Sequence, residues 1–252
     1  MLPRITATAY LTPLREGGSL PAIMEADDLG TYVVKFTGAG QGVKALVAEI
    51  IVAGLARRAG LHTPELALIE VAAEVGRTEP DDEIQQLIKA SVGVNLAVDY
   101  LPGSVGYDRN FDVDRETSSA LVWLDAWTAN VDRSLRNTNL LVWHRRLWAI
   151  DHGACLRFHH AWGRPEAFAE SPYNYGDHVL SGRARPREAH DRLAGRFDAA
   201  TLDAVIADVP DAWLLPDPER PDPGTPPDPG TARIAYRDYL LGRLEAAERW
   251  LR

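Results

Sequence analysis

Asn130-Val131-Asp132-Arg133-Ser134-Leu135-Arg136-Asn137-Thr138-Asn139 leads into Leu140-Leu141-Val142-Trp143, His144-Arg145-Arg146, Leu147-Trp148-Ala149-Ile150 and Asp151-His152-Gly153. This stretch alternates polar and apolar runs. It divides into a polar loop, a strand, a tight basic turn, a second strand and an Asp-X-Gly at that strand's end. Two apolar runs of about four residues around a short polar turn mark a β-hairpin. A hairpin sets its two open ends side by side, so Asp132, Asn137 and Asp151 converge on one point. Gly153 then lets the chain turn away after Asp151. Asp and Asn are also ordinary turn-formers, and each residue alone has that plainer account.

Together the three make a set that phosphoryl transfer needs. One carboxylate orients the hydroxyl nucleophile, while an amide oxygen and a second carboxylate hold a divalent cation against nucleotide phosphates. The offset from Asp132 to Asn137 is 137 − 132 = 5 residues, the spacing of a kinase catalytic loop, and Asp151-His152-Gly153 takes the place of the metal-binding Asp-Phe-Gly.

The totals narrow the field. The chain has 252 residues and a formal charge of 27 − 36 = −9. That length buries a sizeable core without disulfides. The acidic balance argues against a general nucleic-acid binder. The single cysteine, Cys155, fits a reducing cytoplasm and reads as a small filler rather than a nucleophile. The N-terminus lacks a signal peptide's basic start and apolar run, and no segment approaches the roughly 20 apolar residues of a membrane span. The expectation is a cytoplasmic protein with no membrane and no nucleic-acid partner.

Upstream, residues 5–11, 22–26 and 31–36 read as strands, with Arg15-Glu16-Gly17-Gly18-Ser19 between the first two. That stretch reads either as a plain hairpin loop or as a Gly-rich turn whose backbone N–H groups can approach phosphates. Lys35 ends the run Tyr32-Val33-Val34; it reads either as an edge lysine or as the strand lysine that meets nucleotide phosphates. Val43 to Ala59 is an apolar helix stopped by Gly60. Glu49 is the only carboxylate between Lys35 and Gly60, and a lone carboxylate on a buried helix needs a cation. Lys35 is the natural partner, ahead of Lys44, Arg57 and Arg58. A strand at 66–71, a polar helix over 74–88 and a strand at 92–98 follow. Asp99-Tyr100-Leu101 then reads either as a strand ending in a turn or, by its order along the chain, as the place of a two-lobed kinase's adenine-binding hinge.

Downstream, Ser118 to Asn130 is a helix whose Trp123 and Trp127 read as core. Residues 154–180 are irregular, and His159-His160 fits no zinc pattern. Residues 183–209 are helical, and 210–230 form an extended acidic, Pro-rich loop. The helix from 231 to 252 carries an apolar stripe of Ile234, Tyr239, Leu240, Leu244, Ala247 and Leu251.

With these residues in place, the chain resembles the HipA-like kinases of the protein-kinase-like superfamily, in particular compact bacterial members. The matching residues are Val33-Val34-Lys35-Phe36, Glu49, Asn130-x-Asp132-x4-Asn137 and Ile150-Asp151-His152-Gly153, over roughly residues 5–160. Asn130-Val131 stands where eukaryotic kinases carry His-Arg, as in HipA proteins. The resemblance implies an α+β, two-lobed protein-kinase-like fold. An antiparallel sheet would occupy a small N-terminal nucleotide-binding lobe (1–102), ahead of a mainly helical catalytic lobe (103–252). It implies ATP and Mg2+ as cofactors and serine/threonine phosphorylation of a protein. Gly17, Gly18, Ser19, Lys35, Asp99, Tyr100 and Leu101 would bind nucleotide, with Glu49 positioning Lys35. Asp132 would orient the acceptor hydroxyl, and Asn137 and Asp151 would bind Mg2+. Small-molecule kinases share this set and a nucleotide-binding pseudokinase could retain it, so the acceptor stays open, although unpaired buried Lys or Asp residues are costly to keep in a scaffold.

Overall fold

The computed structural model describes residues 1–14, 20–40, 42–77, 79–162, 168–216 and 224–251. The chain divides into two compact units, one of Met1–Leu46 and Pro64–Gly103, the other of Val47–Thr63 and Ser104–Arg252. Sheet dominates the first and helix the second.

The first unit is built on β1 (Arg4–Pro13), β2 (Ala22–Ala26), β3 (Thr31–Lys35), β4 (Leu66–Val71) and β5 (Gly93–Asp99). The order β1-β2-β3-β5-β4 closes into a barrel. The expected antiparallel sheet is corrected at one seam, since β1 runs parallel to β4, with Arg4 opposite Leu68 and Thr6 opposite Glu70. Three intervening elements supply the long connection that a parallel pair requires, and closure removes the exposed edges of an open sheet. Five strands enclose little volume. The core accordingly uses small residues, Ala7, Ala22, Ala26, Ala67 and Ala97, around Met24, Val34 and Ile69. Period-2 alternation buries Val34 and sends Lys35 to the opposite face of β3, where it is half-buried.

Helix α2 (Asp82–Ala90) adds Ile84 and Ile88 to that core. It starts later than the polar pattern from Glu74 suggests. Pro80 interrupts the run, and Asp81 supplies the cap by accepting from the Glu83 N–H at 3.0 Å.

Helix α1 (Gly42–Arg58) is apolar on most faces, and from Ala45 to Ala53 every residue is buried. It ends in a Schellman motif: Gly60 takes φ +87°, its N–H reaches Arg57 O at 3.0 Å, and the Leu61 N–H reaches Ala56 O at 2.9 Å. The second unit continues with β6 (Val105–Gly106), α3 (Arg115–Trp127), β7 (Leu140–Trp143), β8 (Arg146–Ala149), α4 (Pro186–Leu193), α5 (Ala199–Ile206), α6 (Pro229–Glu245) and α7 (Ala247–Trp250). Three of these helices use one device. Asp114, Asp198 and Asp228 each cap a helix by accepting the N–H of the threonine three residues on, at 2.8, 2.8 and 2.9 Å.

Trp123 and Trp127 stack at 5.1 Å between ring centroids, and both are fully buried, in line with the helical spacing that marks them as core. Their indole N–H groups are satisfied by His190 Nδ1 and Leu240 O, at 3.2 and 3.0 Å. The stripe on α6 is partly corrected: Ile234 is 49% exposed, whereas Ala232, Tyr236, Tyr239, Leu240 and Arg243 face inward. Arg243 is accommodated because its guanidinium donates to the carbonyls of Trp127 (2.7 Å), Ala126 (2.6 Å) and Phe168 (2.8 Å), capping the C-terminus of α3. The extended-loop reading of 210–230 is corrected at both ends. Residues 211–213 form a 3-10 turn with Trp213 and Leu214 buried, and Asp228 already belongs to the cap of α6. Among the described residues no helix is long and apolar enough to cross a membrane.

Candidate active site

The hairpin forms as the sequence indicates. Leu140 pairs with Ala149 and Trp143 with Arg146, which leaves a two-residue turn. His144 and Arg145 take φ +47° and +61°, the left-handed pair of a type I′ turn whose twist suits the strands. At the open end, Asn139 and Asp151 are also left-handed, at φ +46° and +55°. Asn and Asp tolerate that region better than most residues. The sharp change of direction therefore occurs at Asp151 itself, not at Gly153. Gly153 serves as a tether instead, its N–H donating to Glu49 Oε1 at 3.0 Å. Glu49 is 3% exposed, so the one carboxylate of α1 helps hold the loop that carries Asp151.

The loop before the hairpin is wound tightly. Ser134 Oγ accepts from the N–H groups of Arg136 and Asn137 at 3.3 Å each, and the Ser134 N–H donates to Asn137 O at 2.8 Å. This turn brings the Asn137 Nδ2 to 2.9 Å from Asp132 Oδ2. Asn139 Nδ2 donates to the same oxygen at 3.2 Å. A carboxylate fixed by two side-chain amides is oriented without being neutralised. The last rung of the hairpin, Ile150 N–H to Asn139 O at 3.1 Å, sets the start of Asp151 beside this group.

Beneath the loop lies a buried polar cluster that sequence patterns do not reveal. Asp125 on α3 accepts from Arg133 Nε at 2.6 Å, His178 Nε2 at 2.9 Å and Asn130 Nδ2 at 2.9 Å. Burial pushes the Asp125 pKa upward, but the Arg133 charge and the His178 and Asn130 hydrogen bonds outweigh it, leaving the carboxyl below its ordinary range. His178 Nδ1 accepts from the Leu180 N–H at 3.1 Å, so the ring proton sits on Nε2, facing Asp125. Asn130 Oδ1 in turn accepts the Asp132 N–H at 3.0 Å. By residue type Asp and Arg belong at the surface, and Asp125 sits unannounced among Leu124, Ala126 and Trp127.

Asp125, His152 and Cys155 also lie close enough to share a cation, within 4.8 Å. The chemistry opposes it, since Asp125 is already committed to the Arg133 guanidinium. Burial pushes the Cys155 thiol well above its usual range, consistent with the filler reading. His159 is buried between Tyr236 Oη (2.8 Å) and His160 (3.1 Å).

The remaining expected residues belong to the first unit or fall outside the described residues. Lys35 ends β3, opposite Leu96. Asp99 ends β5 with its N–H on Glu65 O (2.8 Å), and the Tyr100 N–H donates to Thr31 O (3.0 Å). Leu101 is buried. Gly17, Gly18 and Ser19 lie outside the described residues.

A model of the HipA-like kinase family matches residues 8–226. The chain belongs to the HipA-like kinases. No curated protein sequence matches it. Among solved structures, the proinflammatory kinase CtkA of Helicobacter pylori is similar over 98% of both chains, with a TM-score of 0.53 and 12% identity. At that identity the likeness shows the fold, a kinase fold. The Golgi casein kinase aligns over 98% of this chain and 74% of its own, with 12% identity and a TM-score of 0.43, too low to add weight. The Asp132 loop and the Asp151 hairpin of this HipA-like kinase both lie inside the matched range.

Proposed function

We propose that this HipA-like kinase transfers the γ-phosphate of ATP to a serine or threonine hydroxyl of a protein. The observation that carries the reading is the Asp132 carboxylate held by the amides of Asn137 and Asn139 at the open end of the hairpin. In this role Asp132 orients the acceptor hydroxyl and takes up its proton as the new P–O bond forms.

The donor chemistry fits a hard divalent cation. An amide oxygen and a carboxylate are the ligands such an ion accepts while keeping several waters. Asn137 and Asp151 would hold Mg2+, which supplies charge neutralisation for the phosphates. Lys35 meets the nucleotide phosphates, and Glu49 steadies the Asp151 loop through Gly153 in addition to any service to Lys35. On the family resemblance, Asp99, Tyr100 and Leu101 would lie at the adenine, and Gly17, Gly18 and Ser19, which fall outside the described residues, would bind nucleotide.

The test is incubation of purified protein with γ-labelled ATP, Mg2+ and a cell extract. Label is then followed into acid-precipitable protein and into small metabolites, beside an Asp132→Asn control. Asp132-dependent label on protein serine or threonine is expected. Label confined to metabolites would move the acceptor to a small alcohol, and no Asp132-dependent label anywhere would refute transfer.

A further inference from the structure

We infer that Arg133 is a positioning residue that sets Asp132, Asn137 and Asp151 in register with one another; this rests on the roles proposed for those three. Arg133 directly follows Asp132, yet its side chain turns inward and is 2% exposed. The guanidinium reaches four places at once. Nε meets Asp125 Oδ2 at 2.6 Å. One terminal nitrogen donates to Asn139 O and, at 3.3 Å, to Ile150 O. The other lies 3.2 Å from His152 Nδ1.

Those acceptors are not scattered. Asn139 is two residues beyond Asn137 and immediately precedes β7. Ile150 and His152 flank Asp151 at the exit of β8. A single planar cation therefore spans both sides of the hairpin mouth while its own backbone carries Asp132. Asp125 anchors it from α3 and reaches Asp132 by a second route, through Asn130. A buried ion pair is a poor way to gain stability, because apolar residues of similar volume usually serve as well. Fixing three groups against one another is what the fork adds. Lysine keeps the charge but offers one nitrogen, which cannot reach two carbonyls, an imidazole and a carboxylate in a plane.

The experiment compares Arg133→Lys with the parent at saturating ATP, reading kcat, the Mg2+ concentration giving half-maximal rate, and melting temperature. Arg243→Lys is the control, another buried arginine that donates to carbonyls and stands outside the site. A misplacement of about 1 Å costs on the order of 10²-fold in rate, so Arg133→Lys is expected to lose that much kcat and to need several-fold more Mg2+. Arg243→Lys should lower only the melting temperature. Asp125→Leu/Arg133→Met, which removes the charges together, guards against misfolding and should show the same loss. Retention of kcat and Mg2+ midpoint within twofold in either folded variant overturns the inference. So does failure of both to fold where Arg243→Lys folds, because the cluster is then a folding determinant. If Asp132→Asn itself keeps transfer, the proposed roles fail instead.

Discussion

Asp132→Asn removes one charge and almost no shape. The Asp132 Oδ2 accepts Asn137 Nδ2 at 2.9 Å and Asn139 Nδ2 at 3.2 Å, and an asparagine amide oxygen can accept both. Hydrogen bonds to a charged acceptor exceed neutral ones by about 1 kcal/mol. The residue is only half-buried, so the two changes together should cost about 1 kcal/mol. For a chain of this size that is a melting shift of about 2–4 °C. Transfer should suffer far more. An amide cannot take up the hydroxyl proton, and the loss is expected to be about 10²-fold or greater, equivalent to about 2.7 kcal/mol on the barrier. Nucleotide affinity should stay within a few-fold of the parent. Asp151→Asn should behave differently: it should weaken Mg2+-dependent ATP binding as well as transfer. Calorimetric titration of Mg-ATP into both variants, beside a radiolabel transfer assay, separates the cases. Abolished binding in Asp132→Asn with normal binding in Asp151→Asn would reverse the two roles. No change in either quantity would leave the loop as a set of turn-formers.

Three further outcomes are expected. A Cβ at Gly54 would lie 2.7 Å from Val205 Cγ1; Gly54→Ala should therefore forfeit the helix-propensity gain of about 1 kcal/mol and lower the urea midpoint, and adding Val205→Ala should recover it. A raised midpoint in the single variant would show the α1–α5 contact to be looser than described. Trp213→Ala should destabilise by about 3 kcal/mol, visible as an earlier calorimetric transition, and an unmoved transition would show that its burial adds little. Asp114, Asp198 and Asp228 are each held below the ordinary carboxylate range: burial raises the first, but its Thr117 bonds prevail, and the other two are lowered chiefly by hydrogen bonds to Thr201 and Thr231. A depressed folded pKa gives stability present above the unfolded value and lost as pH falls through the folded one. Asp114→Asn/Asp198→Asn/Asp228→Asn should flatten the decline in urea midpoint below about pH 4, and an unaltered slope would remove the caps from the acid response.

The features legible in the sequence are those governed by short-range rules. The hairpin announces itself through two apolar runs and a basic turn, the end of α1 through Gly60, and the core role of Trp123 and Trp127 through helical spacing. The Asp132–Asn137 contact follows from spacing because Ser134 closes a local turn. Long-range pairing is a different matter. Nothing in Ile5 or Ile69 states that β1 and β4 will lie parallel and close a barrel. Buried polar groups are hidden for a related reason. Asp125, Arg133 and Arg243 look solvent-facing by residue type, and only their partners, distant in the chain, make burial tolerable. Hydrophobic pattern alone therefore puts Ile234 in the core and passes over Arg243.

The lock on α3 also has a consequence in time. The bonds from Trp127 to Leu240 and from Arg243 to Ala126 and Trp127 join residues 113 to 117 positions apart. At about 5–20 residues per second of synthesis, roughly 6–23 s separate the emergence of α3 from that of its clamp. During that interval Trp127 O lacks its Arg243 partner, while Asp125 O and Ala126 O keep the local N–H groups of Asn130 and Ala129, and the Asp132 loop follows directly from that end. A nascent chain broken off between residues 154 and 240 would carry every proposed phosphotransfer residue before the end of α3 is joined to the C-terminal helix.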